Sequence, residues 1–178
     1  MRYIAEILCY CFALNLYAQD FWEETSGPIG GWVQCLAVDN QNNVYAGFDA
    51  GWFGENHKGR CFYRSNNLGG YWVSINTINY NKDIESIAID SSGYIYLWEG
   101  GVGLLKSTDE GINWIRKSFG LNDFFNAKIK VCKNNSLILG HYDGVYVSTN
   151  CGITWNLTSL TNWSNSIFVD SSDNIFVS

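Results

Sequence analysis

The residues best equipped for chemistry crowd into one stretch, Asp49-Ala50-Gly51-Trp52-Phe53-Gly54-Glu55-Asn56-His57-Lys58-Gly59-Arg60. Trp52 and Phe53 offer flat apolar faces, and Glu55, His57 and Arg60 offer a carboxylate, an imidazole and a guanidinium. This mixture suits recognition of a sugar or a peptide, in which apolar faces carry the contact area and a few polar groups set orientation. Two shorter clusters hold related groups: Trp98-Glu99-Gly100-Gly101 and His141-Tyr142-Asp143-Gly144. Asp49, Glu99 and Asp143 are isolated acids, and the sequence alone pairs no two of them as bond-cleaving carboxylates must be paired. Gly-x-Ser-x-Gly, His-Glu-x-x-His and phosphate-loop motifs are absent, so no catalytic residue is assigned.

The elements that must position these groups are strands. The chain has 178 residues, 47% hydrophobic and 16% aromatic, enough for one domain with a sizeable core. Its 18 Gly against one Pro, with Asn, Ser and Asp clustered between apolar runs, predict many tight turns and an all-β chain. A net charge of −6, with 11 Lys and Arg spread singly, argues against a nucleic-acid partner, which needs clustered cations.

The start of the chain differs from the rest. Met1-Arg2 is a short basic start, Ile7 to Ala18 is mostly apolar, and Leu16-Tyr17-Ala18 precedes Gln19-Asp20. Residues 1–18 read as a signal peptide, and a secreted, periplasmic or cell-surface protein is expected. No segment reaches the roughly 18 to 20 apolar residues of a membrane span. Of six Cys, Cys9 and Cys11 fall in this leader, and Cys35, Cys61, Cys132 and Cys151 allow three disulfide pairings. Their spacing lacks the short Cys-x-x-Cys pairs of zinc sites, so neither metal nor cofactor is expected.

The strongest signal is internal repetition. Ser65-Asn66-Asn67-Leu68-Gly69-Gly70-Tyr71-Trp72, Ser107-Thr108-Asp109-Glu110-Gly111-Ile112-Asn113-Trp114 and Ser148-Thr149-Asn150-Cys151-Gly152-Ile153-Thr154-Trp155 share Ser-x-Asp/Asn-x-Gly-x-x-Trp. The tryptophans recur after 42 residues (72 to 114) and 41 residues (114 to 155). Between the motifs lie hairpins such as Leu36-Ala37-Val38-Asp39 with Asn43-Val44-Tyr45-Ala46, and Ile87-Ala88-Ile89-Asp90 with Gly93-Tyr94-Ile95-Tyr96. A period in the 40s with four short strands predicts propeller blades. They are expected at 33–76, 84–118 and 127–159, with a further blade starting at 165–178 and a lone outer strand at 21–25. Since propellers close with about 4 to 8 blades, the chain is expected to be part of a protein nearer 300 residues.

The repeated motif resembles the Asp-box, or bacterial neuraminidase repeat, of sialidases, the sortilin ectodomain, photosystem II assembly factors and xyloglucan-cleaving propellers. The resemblance spans residues 21 to 178 and implies a β-propeller of four-stranded antiparallel blades. It is complete in the second blade, while Asn67 and Asn150 replace Asp in the other two. The twelve motif residues, Ser65, Asn67, Gly69, Trp72, Ser107, Asp109, Gly111, Trp114, Ser148, Asn150, Gly152 and Trp155, read as a folding device. The short acidic or amide side chain folds back on backbone N–H groups, glycine supplies a positive φ, and the indole packs between sheets.

Strand alternation puts these motifs on one rim and the connections holding residues 49–60, 98–101 and 141–144 on the other. Trp52, Phe53, Glu55, His57, Arg60, Trp98, Glu99, His141, Tyr142 and Asp143 are therefore the ligand-binding candidates, and Phe119, Phe124 and Phe125 read as packing. The sialidases use an arginine triad and a Tyr-Glu pair. Only Arg60, Arg64 and Arg116 follow the leader here, and none fits that pattern. The resemblance thus implies a non-enzymatic exported propeller that presents loops to a protein or glycan. Two alternatives are a glycoside hydrolase fragment and the periplasmic sensor of a two-component regulator, the latter suggested by Asp90-Ser91-Ser92-Gly93-Tyr94-Ile95-Tyr96 followed by Gly103-Leu104.

Overall fold

The structure, a computed structural model, describes residue 27 and residues 32–49, 61–77, 82–117, 121, 127–162, 164 and 166–178. The outer strand expected at 21–25, the loop residues 50–60, and Phe119, Phe124, Phe125 and Asn165 lie outside the described residues.

All regular structure among the described residues is β. The first sheet has the order β1 (Val33–Val38), β2 (Val44–Phe48), β3 (Phe62–Ser65), β4 (Val73–Ser74). The second repeats it with β5 (Ile84–Ile89), β6 (Ile95–Glu99), β7 (Gly103–Ser107) and β8 (Ile115–Arg116). The third does so with β9 (Lys128–Val131), β10 (Leu137–His141), β11 (Gly144–Ser148) and β12 (Asn156–Leu157), and β13 (Ile167–Val169) pairs with β14 (Ile175–Val177). Every pairing is antiparallel, and the register recurs: Leu36 faces Ala46, Ile87 faces Leu97, and Ile129 faces Leu139.

Alternation along each strand sends apolar side chains to both faces, so each sheet packs on the next. Tyr45 and Phe62 of the first sheet meet Ile84, Ile87, Ile95, Leu97 and Leu105 of the second. Ala88, Tyr96, Trp98 and Leu104 of the second meet Ile129, Leu137 and Leu139 of the third. Cys132, Ile138 and Val145 of the third meet Ile167 of the fourth. Burial of each such large side chain stabilises the fold by about 1.5–3 kcal/mol. The sheets approach closely: a Cβ on Gly47 would sit 2.6 Å from both Cys35 Sγ and Ile84 Cγ2. The innermost strands β1, β5, β9 and β13 pack in succession, so the sheets fan around an axis with the two-residue strands β4, β8 and β12 outermost.

Local hydrogen bonds fasten one rim. At the inner hairpins, Asp39 Oδ1 accepts from the N–H groups of Gln41 and Asn43, both at 2.9 Å, and Asp90 Oδ1 accepts from Ser92 at 2.9 Å and Tyr94 at 3.0 Å. At the outer turns, Asn67, Asp109 and Asn150 Oδ1 accept from the N–H of Tyr71, Asn113 and Thr154 at 2.8, 2.8 and 2.9 Å. Each turn's serine does a second job. Ser65, Ser107 and Ser148 Oγ accept from the N–H of Gly69, Gly111 and Gly152 at 2.9, 2.8 and 2.9 Å while donating to the neighbouring Oδ1. Gly111 has φ 91°, and a Cβ there would meet Ile75 Cγ2 of the preceding sheet at 2.8 Å. Cys35, Cys61, Cys132 and Cys151 carry free thiols.

Candidate functional site

The opposite rim is where the sequence directs the search, and among the described residues Glu99 and His141 there are enclosed. Trp98 and Glu99 end β6 and are buried, with Glu99 Oε1 accepting from Thr77 Oγ1 at 3.1 Å. His141 ends β10 and is also buried, its ring centroid 5.8 Å from that of Trp98 and 4.4 Å from that of exposed Tyr142. Its Nδ1 lies 2.6 Å from Asp143 Oδ1, and Asp143 Oδ2 accepts from Tyr146 Oη at 3.0 Å. That network holds the β10–β11 turn and presents only Tyr142 and part of Asp143 to solvent. Ser164 is buried against Gly140, which points away from the His141 face of β10, so no Ser-His-Asp relay forms.

The open feature of this rim lies at the axis. A cavity of about 250 Å³ sits among the N-terminal halves of the four inner strands, lined by Gln34, Cys35 and Leu36 of β1, Glu85 and Ser86 of β5, and Lys128 and Lys130 of β9, with Ser166 and Ile167. Inner strands begin on the rim that carries the β2–β3, β6–β7 and β10–β11 connections, so the cavity belongs to that side.

Its polar groups are partly committed. Lys128 Nζ donates to the Glu85 carbonyl at 3.0 Å, Glu85 Oε2 accepts from the Ala127 N–H at 3.2 Å, and Ser86 Oγ accepts from the Ile129 N–H at 3.0 Å. Lys130 has no ion-pair partner among the described residues. Burial pushes the Cys35 thiol up to about 12, against the pull of the Lys128 and Lys130 ammonium groups. The site therefore offers positive charge, amide and hydroxyl groups beside the apolar side of Leu36, and no nucleophile primed by a lowered pKa.

A second hollow of about 420 Å³ lies on the motif rim, between β4 and the turn after β7, lined by Arg64, Val73, Ile75, Glu110, Gly111 and Ile112 among others. Its polar floor is the Arg64–Glu110 ion pair, 2.5 Å between Nη1 and Oε2. Among the described residues no three His, Cys, Asp or Glu side chains gather as metal ligands, and no helix is long and apolar enough to cross a membrane.

Four-stranded sheets fanned around an axis, with inner strands lining a cavity, have counterparts among solved structures. YCF48 bound to D1 peptide superposes with a TM-score of 0.63 at 14% identity over 88% of this chain. An ancestral GH74 enzyme gives 0.67 at 21% over 88%, and the extracellular domain of BT4673 from B. thetaiotaomicron 0.62 at 15% over 88%. The fold is a β-propeller. This chain spans 51% of the YCF48 chain and 23% and 21% of the other two, so it corresponds to part of each propeller. No family model matches the sequence, and no curated protein does.

Placed on this propeller, the sequence-derived candidates separate. Trp98, Glu99 and His141 are interior residues between or within sheets, and Tyr142 and Asp143 stand at the rim. Trp52, Phe53, Glu55, His57 and Arg60 lie outside the described residues. The axial cavity uses Gln34, Glu85, Lys128 and Lys130, which sequence reading passes over as ordinary strand positions. The one signal that could have drawn attention to them is the pair Lys128 and Lys130, two cations one strand period apart on an innermost strand.

Proposed function

We propose that this chain is an exported, non-enzymatic propeller of the Asp-box type that binds a protein or glycan ligand at the axial cavity. The observation that carries the reading is the cavity itself. It is an opening where the ammonium of Lys130, without an ion-pair partner among the described residues, meets amide, hydroxyl and apolar groups on the loop-bearing rim. Such a lining selects for a carboxylate-bearing ligand by charge and hydrogen bonding. A protein segment is the favoured ligand, since YCF48, a propeller of similar fold, is bound to a peptide. In this proposal the sequence-derived candidates Trp52, Phe53, Glu55, His57 and Arg60 contact the same ligand.

The serine, Asp/Asn and glycine hydrogen bonds of the outer turns support the Asp-box assignment, and the apolar run Ile7 to Ala18 supports export. Calorimetric titration with acidic and neutral peptides, and with sialylated and neutral glycans, tests the proposal. Saturable binding of acidic ligands is expected, weakened about tenfold by Lys130→Glu and reduced by Trp52→Ala. Binding indifferent to Lys130→Glu would remove the cavity from the reading. Turnover of sialosides or xyloglucan that survives purification would replace binding by hydrolysis.

A further inference from the structure

The hollow on the motif rim lies between two complete sheets, and the groove between the next two sheets does not share its chemistry. Arg64, Ser74 and Glu110 line the hollow, and the repeat puts Lys106, Arg116 and Cys151 at their positions one groove further on. Lys106 is buried over the rings of Tyr94 and Tyr96 in its own sheet, 4.3 and 5.1 Å from their centroids. Arg64 instead reaches Glu110 of the following sheet, whose side chain is 63% exposed. Glu110 Oε1 has no hydrogen-bond partner among the described residues. Val73 and Ile112, 54% and 79% exposed, flank the pair. The hollow therefore sets a hydrogen-bond donor and an acceptor side by side between two apolar side chains.

The backbone beside it is open as well. Ile75 N–H donates to the Phe62 carbonyl at 2.8 Å, and Ser74 faces Tyr63 in the same register. Antiparallel pairs alternate between bonded and non-bonded, so Ser74 and Tyr63 form a non-bonded pair and the Ser74 N–H and C=O point away from β3. Neither group has a partner among the described residues. Two residues on, the Asn76 carbonyl accepts from Trp114 Nε1 of the second sheet at 2.9 Å, so the outward side of this segment is turned toward that sheet and the hollow.

We propose that this hollow binds an extended, uncharged segment of another polypeptide, added as a strand beside β4. One residue of the segment pairs with the Ser74 N–H and C=O, and an apolar side chain sits between Val73 and Ile112. A neighbouring peptide group accepts from Arg64 and donates to Glu110 Oε1. Strand addition of this kind draws affinity from main-chain hydrogen bonds and specificity from alternate side chains. A charged ligand is disfavoured, because Arg64 and Glu110 already neutralise each other, whereas a peptide group carries the one donor and one acceptor that match them. The volume of about 420 Å³ is in the range of ligand pockets. This surface lies on the rim opposite the axial cavity and stands independently of any ligand there.

Nuclear magnetic resonance titration of the 178-residue chain with a panel of neutral pentapeptides provides the test. The probes alternate valine or leucine with threonine and are blocked at both ends, so they carry no carboxylate for the axial cavity. Saturable shifts of the Ser74, Glu110 and Ile112 amides are expected, with slower hydrogen exchange at Ser74. Ile112→Lys should weaken binding about tenfold. Ser74→Pro should abolish it with the fold intact, because an edge strand tolerates proline where its N–H faces outward. Ile115→Lys, at the Val73 position of the next groove, should leave binding unchanged. The proposal is overturned if no probe gives saturable shifts, if the shifts fall away from the hollow, or if Ser74→Pro or Ile112→Lys binds as the parent does. A Ser74 amide already protected before peptide is added would also overturn it, by showing that this chain fills its own edge. The exchange of Ser74 and the Ile112→Lys titration decide the matter even if the proline variant fails to fold.

Discussion

The indole Nε1 of Trp114 donates to the carbonyl oxygen of Asn76 at 2.9 Å, reaching from the outer turn of the second sheet to the chain that leaves β4 of the first. Trp155 repeats this toward Lys117 of the second sheet at 3.2 Å, across the same separation of 38 residues. Trp72, first of the three, donates instead to Gly69 of its own turn at 3.0 Å. The same motif residue thus bonds between sheets twice and within a turn once. Trp114 also packs edge-on against Phe62, ring centroids 5.8 Å apart.

Trp114→Ala is therefore expected to destabilise the fold by about 3 kcal/mol, the low end for a large aromatic because its ring is only half-buried. Trp72→Ala should cost less, because no neighbouring sheet is released. Chemical denaturation of both variants checks this, and equal losses would contradict a linking role for Trp114.

Gly111 and Gly93 both have positive φ, 91° and 80°, but differ in their surroundings. A methyl group at Gly93 meets nothing within 4 Å, whereas at Gly111 it meets Ile75 Cγ2 at 2.8 Å. Gly93→Ala should cost about 1 kcal/mol, the backbone strain alone, and Gly111→Ala should cost more by the clash between sheets. Matched denaturation curves would refute the close approach of Gly111 to the first sheet.

Stability should fall in acid for reasons rooted in the turns. Hydrogen bonds from Asn113 and Ser107 hold Asp109 below the usual 3.8, and bonds from Asn174 and Ser172 do so for Asp170. For Asp39, burial pushes upward but is outweighed by bonds from Asn43, Gln41 and Tyr45. A carboxyl group depressed in the folded state stabilises it above the unfolded pKa, and that contribution disappears as pH falls through the folded value. The urea midpoint is expected to hold steady above pH 3.8 and to drop below it, less steeply in Asp109→Asn. A midpoint unchanged through that window would show that these bonds do not favour the carboxylates.

Cys35 and Cys61 should resist alkylation until the chain unfolds. Burial pushes Cys35 to about 12 and Cys61 to about 11, leaving roughly one thiol in 10⁴ and one in 10³ ionised at pH 8. Mass spectrometry after brief iodoacetamide treatment should find Cys35 unmodified in the native protein, Cys61 slightly modified, and both fully modified in urea. Rapid native labelling of Cys35 would contradict its half-buried position beside Ile84, whose carbonyl its Sγ approaches to 3.2 Å.

The sequence by itself determined the all-β class, the four-stranded antiparallel unit and the turn chemistry of Asn67, Asp109 and Asn150, because all of these rest on contacts within a few dozen residues. Alternating apolar side chains specify hairpins, and an Oδ1 acceptor four residues before the N–H it meets specifies a turn. The second role of Ser65, Ser107 and Ser148 as acceptors for the glycine N–H is equally local, yet reading the motif for its acid and its tryptophan passes over it. Tertiary structure decided the rest. His141 looks like a rim group in sequence and is interior because Trp98, from another sheet, lies against it. The axial cavity draws on positions 34, 85, 128, 130 and 166, which no local pattern links. They converge because the inner strands of successive sheets are packed side by side by the apolar faces behind them, and that packing is a property of the stacked sheets, not of any one repeat.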